Sequence, residues 1–347
     1  MNRVNRCFLE PDTISLVTHL IDLEPFRRGD DASRRTVAQL IDDACSDTGF
    51  LHVVGHGVPE YLLEEMLDVS AQFFDLPLDV KAQFVDPVVA NNRGYAAEGS
   101  EALAYSLSDE AVAAPDLFEA FNVGREDTVG PYFDQFRSFY SANVWPDQPE
   151  ALIDVWQRYM AAIRDVNDTL LEAFALALGL GPGHLLERTR RAVLTMRVIN
   201  YQRRAGAAEP VAGQLRMGPH TDYGVLTVLL ADPVPGLEIR RDGQWQSVVP
   251  QEGAFLVNLG DMLSTWTNDR WVSTLHRVVP PPVSETGSFR RRSVAQFLEA
   301  DPGCVIECLP SCLDPGEVPK YEPIEAGEYL LAKLLGPREL RRSDIAT

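Results

Sequence analysis

The chain has 347 residues, of which 51 are acidic and 31 are lysine or arginine, so its formal net charge at pH 7 is −20. This excess of acid argues against a nucleic-acid partner and against an anionic membrane surface, because both require a basic footprint on the protein. Apolar residues make up 45% and charged residues 24%, as in ordinary globular proteins, and the length suits one large domain or two small ones.

Residues 1–10 lack the apolar core of a signal sequence, and the apolar run Ala173 to Leu180 is too short to cross a bilayer. Five cysteines, an odd number, suit free thiols in a reducing compartment. We therefore expect a cytoplasmic protein with no membrane partner.

The N-terminal part predicts alternating strands and helices. Residues 14–24 read as a strand leading into a helix, and residues 33–47 as an amphipathic helix. Residues 49–57 predict a strand that ends at glycine. A further helix is predicted from Pro59 to Phe74.

Residues 96–150 show little periodicity, whereas residues 150–180 carry apolar side chains every three or four positions and predict a long helix. From residue 216 onward, short apolar runs separated by proline and glycine turns predict a sandwich or barrel. Helical periodicity returns at residues 325–335, before a charged tail at residues 338–347.

Three side chains suggest a metal site. His220 and Asp222 are two positions apart in an apolar, β-branched stretch, so in a strand they would face the same side. His276 lies in a second strand-like run, residues 271–279. Two histidines and one carboxylate form the facial triad of non-haem Fe(II) oxygenases. A short His-x-Asp pattern on its own is more often an ordinary hydrogen-bonded pair.

A second group suggests a site for a carboxylate ligand. Period-two alternation puts Arg291 and Ser293 on one strand face, with Ala295 and Phe297 beyond them. An inward arginine needs an anion, and a guanidinium beside a hydroxyl suits a dicarboxylate. The alternative is a structural salt bridge to an acidic side chain.

Together these motifs resemble the isopenicillin-N-synthase-like family of the iron(II)/2-oxoglutarate-dependent dioxygenases. The matching stretches include Gly49-Phe50, Gly94-Tyr95, His220-Thr221-Asp222, Asn258-Leu259-Gly260-Asp261, His276-Arg277-Val278 and Arg291-x-Ser293. The resemblance implies that iron is bound by His220, Asp222 and His276. It implies that the distal carboxylate of 2-oxoglutarate is bound by Arg291 and Ser293, with help from Tyr201.

The resemblance also implies the fold, an α+β protein with a distorted double-stranded β-helix, or jelly-roll, core flanked by helices from the N-terminal half. The expected parts of this one compact unit are an N-terminal region at 1–150, a scaffold helix at 151–190, the jelly-roll core at 191–310, and a C-terminal helix and tail at 311–347.

The implied activity is oxidation of a small molecule, by hydroxylation, desaturation or ring closure, with conversion of 2-oxoglutarate to succinate. Fe(II), 2-oxoglutarate and O2 would be the cofactors and cosubstrates, with ascorbate as an optional stimulant, and specialised-metabolite biosynthesis the setting. Two alternatives remain: an oxidase of the same fold that uses no 2-oxoglutarate, and a zinc-binding or non-catalytic jelly roll. No glutamate belongs to the motif, which counts against zinc-dependent hydrolysis.

The sequence does not identify the substrate or the oligomeric state. The expected substrate-pocket residues are Tyr223, Leu237, Phe297 and Tyr95, together with the variable segments 95–120 and 203–212.

Other histidines and cysteines are predicted to have no metal role. His52 and His56 are expected to be core or turn residues. Cys304, Cys308 and Cys312 are evenly spaced, but prolines and a glycine interrupt the segment, so they would not share a helix face.

Overall fold

The computed structural model describes residues 17–88, 91–101, 115–203, 214–280 and 289–334. The helices are α1 Glu24–Arg28, α2 Asp31–Asp47, α3 Glu60–Phe74, α4 Leu78–Lys81, α5 Pro131–Gln135, α6 Leu152–Ala177, α7 His184–Thr189 and α8 Asp261–Trp266. Residues 326–334 are also helical and are called the C-terminal helix. Short 3₁₀ turns occupy Ala82–Phe84, Arg137–Phe139 and Pro310–Cys312.

The strands are β1 His19–Asp22, β2 Phe50–Val54, β3 Gly94–Ala96, β4 Glu119–Gly124, β5 Leu194–Arg203, β6 Met217–His220, β7 Leu226–Ala231, β8 Leu237–Arg241, β9 Gln244–Ser247, β10 Phe255–Leu259, β11 His276–Val278, β12 Phe289–Leu298, β13 Val305–Ile306 and β14 Ile324–Glu325. Eight of them form one sheet in the order β1-β2-β10-β7-β12-β5-β4-β3. A four-stranded sheet has the order β6-β11-β8-β9, and β13 pairs with β14.

The large sheet is centred on the two longest strands, β5 and β12, which pair antiparallel over their full length of ten residues. The smaller sheet packs across from it, since apolar side chains of both sheets share one buried cluster. Its members include Ile199 and Tyr201 from the large sheet and Met217, Leu237 and Val278 from the small one. The space between the sheets is where the candidate site lies.

The other face of the large sheet is covered by helices. The predicted long helix is observed as α6, and its buried face packs against α2 and α3. Asn167 of α6 donates a hydrogen bond to Gln296 of β12 at 3.2 Å, which ties the helix to the central strand. Gly179 then ends the helical segment with φ of +69°, a conformation that glycine adopts at little cost.

The strand predictions around the metal motif were wrong in extent. Strand β6 ends at His220, so Asp222 lies in the following turn, and β11 begins only at His276. The turn carbonyls accept hydrogen bonds from the start of α8, with Asp261 N donating to Asp222 O at 2.8 Å. Likewise, Val272 N donates to Cys45 O of α2 at 3.1 Å. These backbone groups are therefore satisfied by helices and do not extend the sheet.

Strands β1 to β4, which come from the predicted N-terminal region, belong to the same sheet as the core strands. The domain boundaries themselves remain predictions. Residues 102–114 and 204–212 of the variable segments, and the predicted charged tail at 338–347, lie outside the described residues. Among the described residues, no helix is both long enough and apolar enough to cross a bilayer.

Candidate active site

The three predicted metal ligands are brought together between the two sheets. His220 and His276 are Cα partners across β6 and β11, and their ring centroids are 4.2 Å apart. Oδ1 of Asp222 lies 3.9 Å from Nε2 of His220 and 3.7 Å from Nε2 of His276. All three side chains are buried, and one ligand atom from each lies within 4.8 Å of the others.

Hydrogen bonds to backbone carbonyls orient both imidazoles. Nδ1 of His220 lies 2.8 Å from Gly218 O, and Nδ1 of His276 lies 3.0 Å from Thr274 O. Because a carbonyl only accepts, each Nδ1 carries the proton and each Nε2 presents its lone pair to the centre of the group. This is the usual arrangement of metal-ligating histidines.

The carboxylate of Asp222 is held in a complementary way. Its Oδ2 accepts hydrogen bonds from Thr227 Oγ1 at 2.5 Å and from Asn258 Nδ2 at 2.7 Å, which leaves Oδ1 facing the histidines. Two nitrogens and one oxygen on one side of a centre fit Fe(II) with its remaining positions open. Within the described part of the chain, no other group of histidine, cysteine, aspartate and glutamate side chains has this geometry.

The charge states also suit a divalent cation. Burial, followed by the neighbouring His276, lowers the pKa of His220 to about 4. Burial raises the pKa of Asp222, but the two histidines and the bonds from Thr227 and Asn258 outweigh it, so the net pKa is lowered. At neutral pH, His220 is therefore neutral and the carboxylate is ionised, as ligands must be.

The predicted carboxylate site lies on the same cavity. Arg291 of β12 is only 2% exposed, and its Cα partner on β5 is Tyr201. The guanidinium lies 5.1 Å from the Tyr201 ring centroid, and its Nη1 is 3.5 Å from Ser293 Oγ. Among the described residues, Nε of Arg291 has no hydrogen-bond partner, and no carboxylate forms an ion pair with the guanidinium. The described residues therefore do not support a structural salt bridge at Arg291, and an external anion fits beside its guanidinium.

A cavity of about 470 Å³ joins the metal group and Arg291. All four predicted substrate residues line it: Tyr95, Tyr223, Leu237 and Phe297. Leu237 follows Gly236, at which a Cβ would lie 3.7 Å from Cδ of Arg291, so Leu237 borders the arginine end. Tyr95 donates a hydrogen bond to Glu119 Oε2 at 2.5 Å and is thereby fixed in the wall.

Several cavity residues were not singled out from the sequence. Thr227 and Asn258 orient Asp222; both lie in stretches that match the family, but no role was assigned to either. Arg197 and Glu299 continue the period-two faces of β5 and β12, a signal that could have placed both in the cavity. Arg93, which precedes β3, had no such signal.

Glu299 is a buried acid beside the metal-ligand turn. Burial, then the charges of Asp222 and Asp261, raise the pKa of Glu299 to about 8. The turn passes so close that a Cβ on Gly224 would lie 2.2 Å from Glu299 Oε2. Glu299 is therefore mostly protonated at neutral pH.

Asp261, at the start of α8, links the metal-ligand segments to the C-terminal helix. Its carboxylate accepts hydrogen bonds from Thr221 at 3.3 Å and Ser273 at 2.8 Å, residues adjacent to or near the metal ligands. It also accepts bonds from Tyr329 at 2.8 Å and Lys333 at 3.2 Å on the C-terminal helix.

His52 and His56 are buried, as expected of core histidines. His52 is bonded to Thr18 Oγ1 at 2.9 Å, and His56 lies 3.1 Å from Gly253 O. Cys304, Cys308 and Cys312 are free thiols.

Comparison with known sequences identifies two family matches. The sequence model of the 2OG-Fe(II) oxygenase superfamily matches residues 195–300, and that of the non-haem dioxygenase in morphine synthesis N-terminal region matches residues 19–148.

Individual proteins are similar over nearly the whole chain. The validamycin A dioxygenase of Streptomyces hygroscopicus subsp. limoneus is 33% identical over 320 residues, which is 90% of this chain and 85% of that protein. The 2-oxoglutarate-Fe(II) type oxidoreductase hxnY of Emericella nidulans is 32% identical over 311 residues, 88% and 86% of the two chains.

A solved structure is similar in fold. A Neurospora crassa protein, crystallised full-length in complex with alpha-KG and thymine, is 28% identical and superposes with a TM-score of 0.80, covering 91% of this chain and 96% of that one. This similarity confirms the predicted α+β fold with a jelly-roll core.

Proposed function

Because the chain belongs to the 2OG-Fe(II) oxygenase superfamily, we propose that His220, Asp222 and His276 bind the Fe(II) of this enzyme. The family model and the relatives confirm the resemblance found in the sequence. The protein is an Fe(II)- and 2-oxoglutarate-dependent dioxygenase that acts on a small molecule. The observation that carries the ligand assignment is the convergence of two Nε2 atoms and one Oδ1 whose companion atoms are all hydrogen-bonded elsewhere.

We propose further that Arg291, Ser293 and Tyr201 bind the distal carboxylate of 2-oxoglutarate. Support comes from the buried guanidinium, which has no carboxylate partner among the described residues and stands beside a hydroxyl and a tyrosine. A bidentate carboxylate would supply the missing counter-charge.

Bound Fe(II), with 2-oxoglutarate and O2, supplies the oxidising chemistry, and the residues of the chain position the reactants. The backbone carbonyls of Gly218 and Thr274 hold the imidazoles, while Thr227 and Asn258 hold the carboxylate. Apolar cavity residues such as Leu229 exclude water from the reacting groups.

The substrate is a small organic molecule, and the proposed setting is specialised metabolism. Support comes from relatives such as validamycin A dioxygenase, although they differ from this chain at two thirds of aligned positions. Binding of nucleic acid is not expected at a net charge of −20. A cytoplasmic location agrees with the free thiols of the described cysteines.

The test of both site assignments is an anaerobic visible spectrum of the Fe(II)-loaded protein before and after addition of 2-oxoglutarate. We expect a metal-to-ligand charge-transfer band in the wild type and its loss in Arg291→Ala at the same 2-oxoglutarate concentration. Arg292→Ala is the matched control, because Arg292 bonds to Asp232 on the opposite strand face. Asp222→Ala should not retain Fe(II).

Two results would contradict these assignments. A band of equal strength in Arg291→Ala would show that the cosubstrate is anchored elsewhere. Stoichiometric Fe(II) binding by Asp222→Ala would remove the carboxylate from the ligand set.

A further inference from the structure

A second buried arginine on the cavity forms no ion pair with any carboxylate of the described residues. Arg93 lines the cavity and is 6% exposed. Its Nη1 donates to the backbone carbonyls of Asn91 at 3.2 Å and Asn92 at 3.0 Å. Within the described ranges, Nε of Arg93 has no hydrogen-bond partner and no carboxylate forms an ion pair with the guanidinium. Burial lowers the pKa of Arg93 to about 10, with Asp86 acting in the opposite direction, so the side chain is still cationic at neutral pH.

The position of the Arg93 guanidinium is set by its close packing against the large sheet. It lies against Gly124 at the end of β4, where a Cβ would be only 1.9 Å from Nη2 and 2.2 Å from Cζ of Arg93. Any other residue at position 124 would displace the guanidinium. Gly124 is the Cα partner of Thr195, which lines the same cavity.

Polar side chains continue from Arg93 along the cavity wall. Asn122 and Arg197 are Cα partners on β4 and β5, and both line the cavity. Asn122 Oδ1 and Arg197 Nε are buried without hydrogen-bond partners. Arg197 is paired with Glu101 at 2.8 Å, so its charge is already balanced, whereas that of Arg93 is not.

Resting on the proposed function, we propose that Arg93 is the anchor for a carboxylate of the primary substrate, with Asn122 and Arg197 completing the polar wall. With Arg197 and Glu101 cancelling, Arg93 is the one cation of this wall that forms no ion pair with a described residue, which suits a monocarboxylate.

Asp86 also lines the cavity and acts on Arg93, but its carboxylate accepts hydrogen bonds from Val88 N at 2.8 Å and Asn91 Nδ2 at 2.9 Å and forms no ion pair with the guanidinium. The two buried acids on the cavity, Asp222 and Glu299, form no ion pair with Arg93.

This subsite is separate from the proposed 2-oxoglutarate anchor. Thr195, beside Gly124, lies six residues along β5 from Tyr201, the partner of Arg291. At about 3.3 Å per residue this is roughly 20 Å, too far for one five-carbon dicarboxylate to occupy both ends. The metal-ligand group lines the same cavity. A substrate held at Arg93 would thus share the cavity of the metal group and leave the 2-oxoglutarate anchor free.

The test uses the anaerobic holoenzyme with Fe(II) and saturating 2-oxoglutarate. The probes are straight-chain monocarboxylates from butanoate to decanoate and the matching primary carboxamides, and binding is read from the change in the charge-transfer band. We expect the carboxylates to bind the wild type more tightly than the amides. In Arg93→Gln, carboxylate affinity should fall by about 30-fold or more, since one partner of a buried charge pair is lost. Amide affinity should stay nearly constant.

Lys333→Gln is the matched control. It removes the same charge from the cavity lining, but Lys333 is already paired with Asp261, so the preference for carboxylates should persist. Affinity for 2-oxoglutarate should be the same in Arg93→Gln and the wild type. A missing charge-transfer band in the wild type would count against the proposed function, on which this subsite depends.

With the band present, equal binding of acids and amides by the wild type would overturn the proposal, as would an unchanged preference in Arg93→Gln. If Arg93→Gln does not fold, Arg93→Lys serves in its place, because it keeps the charge but loses the planar fork. We then expect a several-fold loss of carboxylate affinity, and full retention would overturn the proposal.

Discussion

Hydrogen bonds from neighbouring residues determine which atom of each proposed iron ligand faces the metal position. Gly218 and Thr274 each lie two residues before a ligand histidine, and their carbonyls take the Nδ1 protons. The carboxylate of Asp222 has one oxygen bound by Thr227 and Asn258, so only the other faces the metal position. The ligand set is therefore oriented before metal arrives, and each orienting partner can be tested.

We expect Asn258→Leu to weaken Fe(II) binding by about 10–100-fold, the usual effect of losing a group that orients a metal ligand. The physical reason is that Asp222 loses a 2.7 Å hydrogen bond and gains rotational freedom. Anaerobic Fe(II) titration measures the effect. Asn167→Leu removes a buried amide that bonds only to Gln296 and should leave Fe(II) affinity unchanged. Equal affinities for the two variants would contradict the role given to Asn258.

The C-terminal helix is held against the candidate site by hydrogen bonds to one carboxylate, that of Asp261. Leu330, Leu331 and Leu334 of this helix line the cavity, so its docking closes one side of the substrate space. The bonds that Tyr329 and Lys333 make to Asp261 hold it there. Because Asp261 also bonds to Thr221 and Ser273, docking of the helix and placement of the metal-ligand segments share one anchor.

We expect Tyr329→Phe to lower the protection of amides in residues 326–334 by about 1.5–3 kcal/mol, the scale of one hydrogen bond to a charged acceptor. Native-state hydrogen exchange measures this protection. Tyr321→Phe removes a similar bond to Asp269, outside this helix, and should not change the protection there. Unchanged protection in Tyr329→Phe would show that apolar packing alone docks the helix.

For the molecule as a whole, stability depends on the layer of helices behind the large sheet. Helix α6 buries thirteen of its 26 residues, among them Trp156 and Leu170, against α2, α3 and the sheet. The site is on the opposite face of that sheet, so this layer supports the metal group without touching it.

We expect Leu170→Ala to lower the free energy of unfolding by about 2–5 kcal/mol, the range for a fully buried leucine. Leu176→Ala makes the same change on the same helix at a position that is 36% exposed, and should cost well under 1 kcal/mol. Urea denaturation of the metal-free protein measures both. Similar losses at the two positions would contradict the packing described for α6.

The sequence predicts the candidate-site residues that lie in a periodic strand or in a short motif. Period two predicts Arg291 and Ser293 on one face of β12, and the His-x-Asp…His pattern, together with the family resemblance, indicates the proposed metal ligands. The same reasoning failed for the backbone around Asp222, because helix α8 takes the carbonyls that a longer strand would have used. It also assigned no role to Asn258, since its partner Asp222 is far away in the sequence.

The identities and order of the chemical groups follow from the sequence, because strand and helix periodicities and short motifs are local properties of the chain. Only the tertiary structure decides which charges find partners. Arg197 forms an ion pair with Glu101, whereas Arg93 and Arg291 are buried and form no ion pair with an acid of the described residues. A local pattern points to Arg291 alone, and no local pattern shows which of the three arginines is paired, because pairing depends on residues that long-range folding brings together. Because Arg93 and Arg291 lack an ion pair among the described residues, we propose these two arginines as anchors for bound carboxylates.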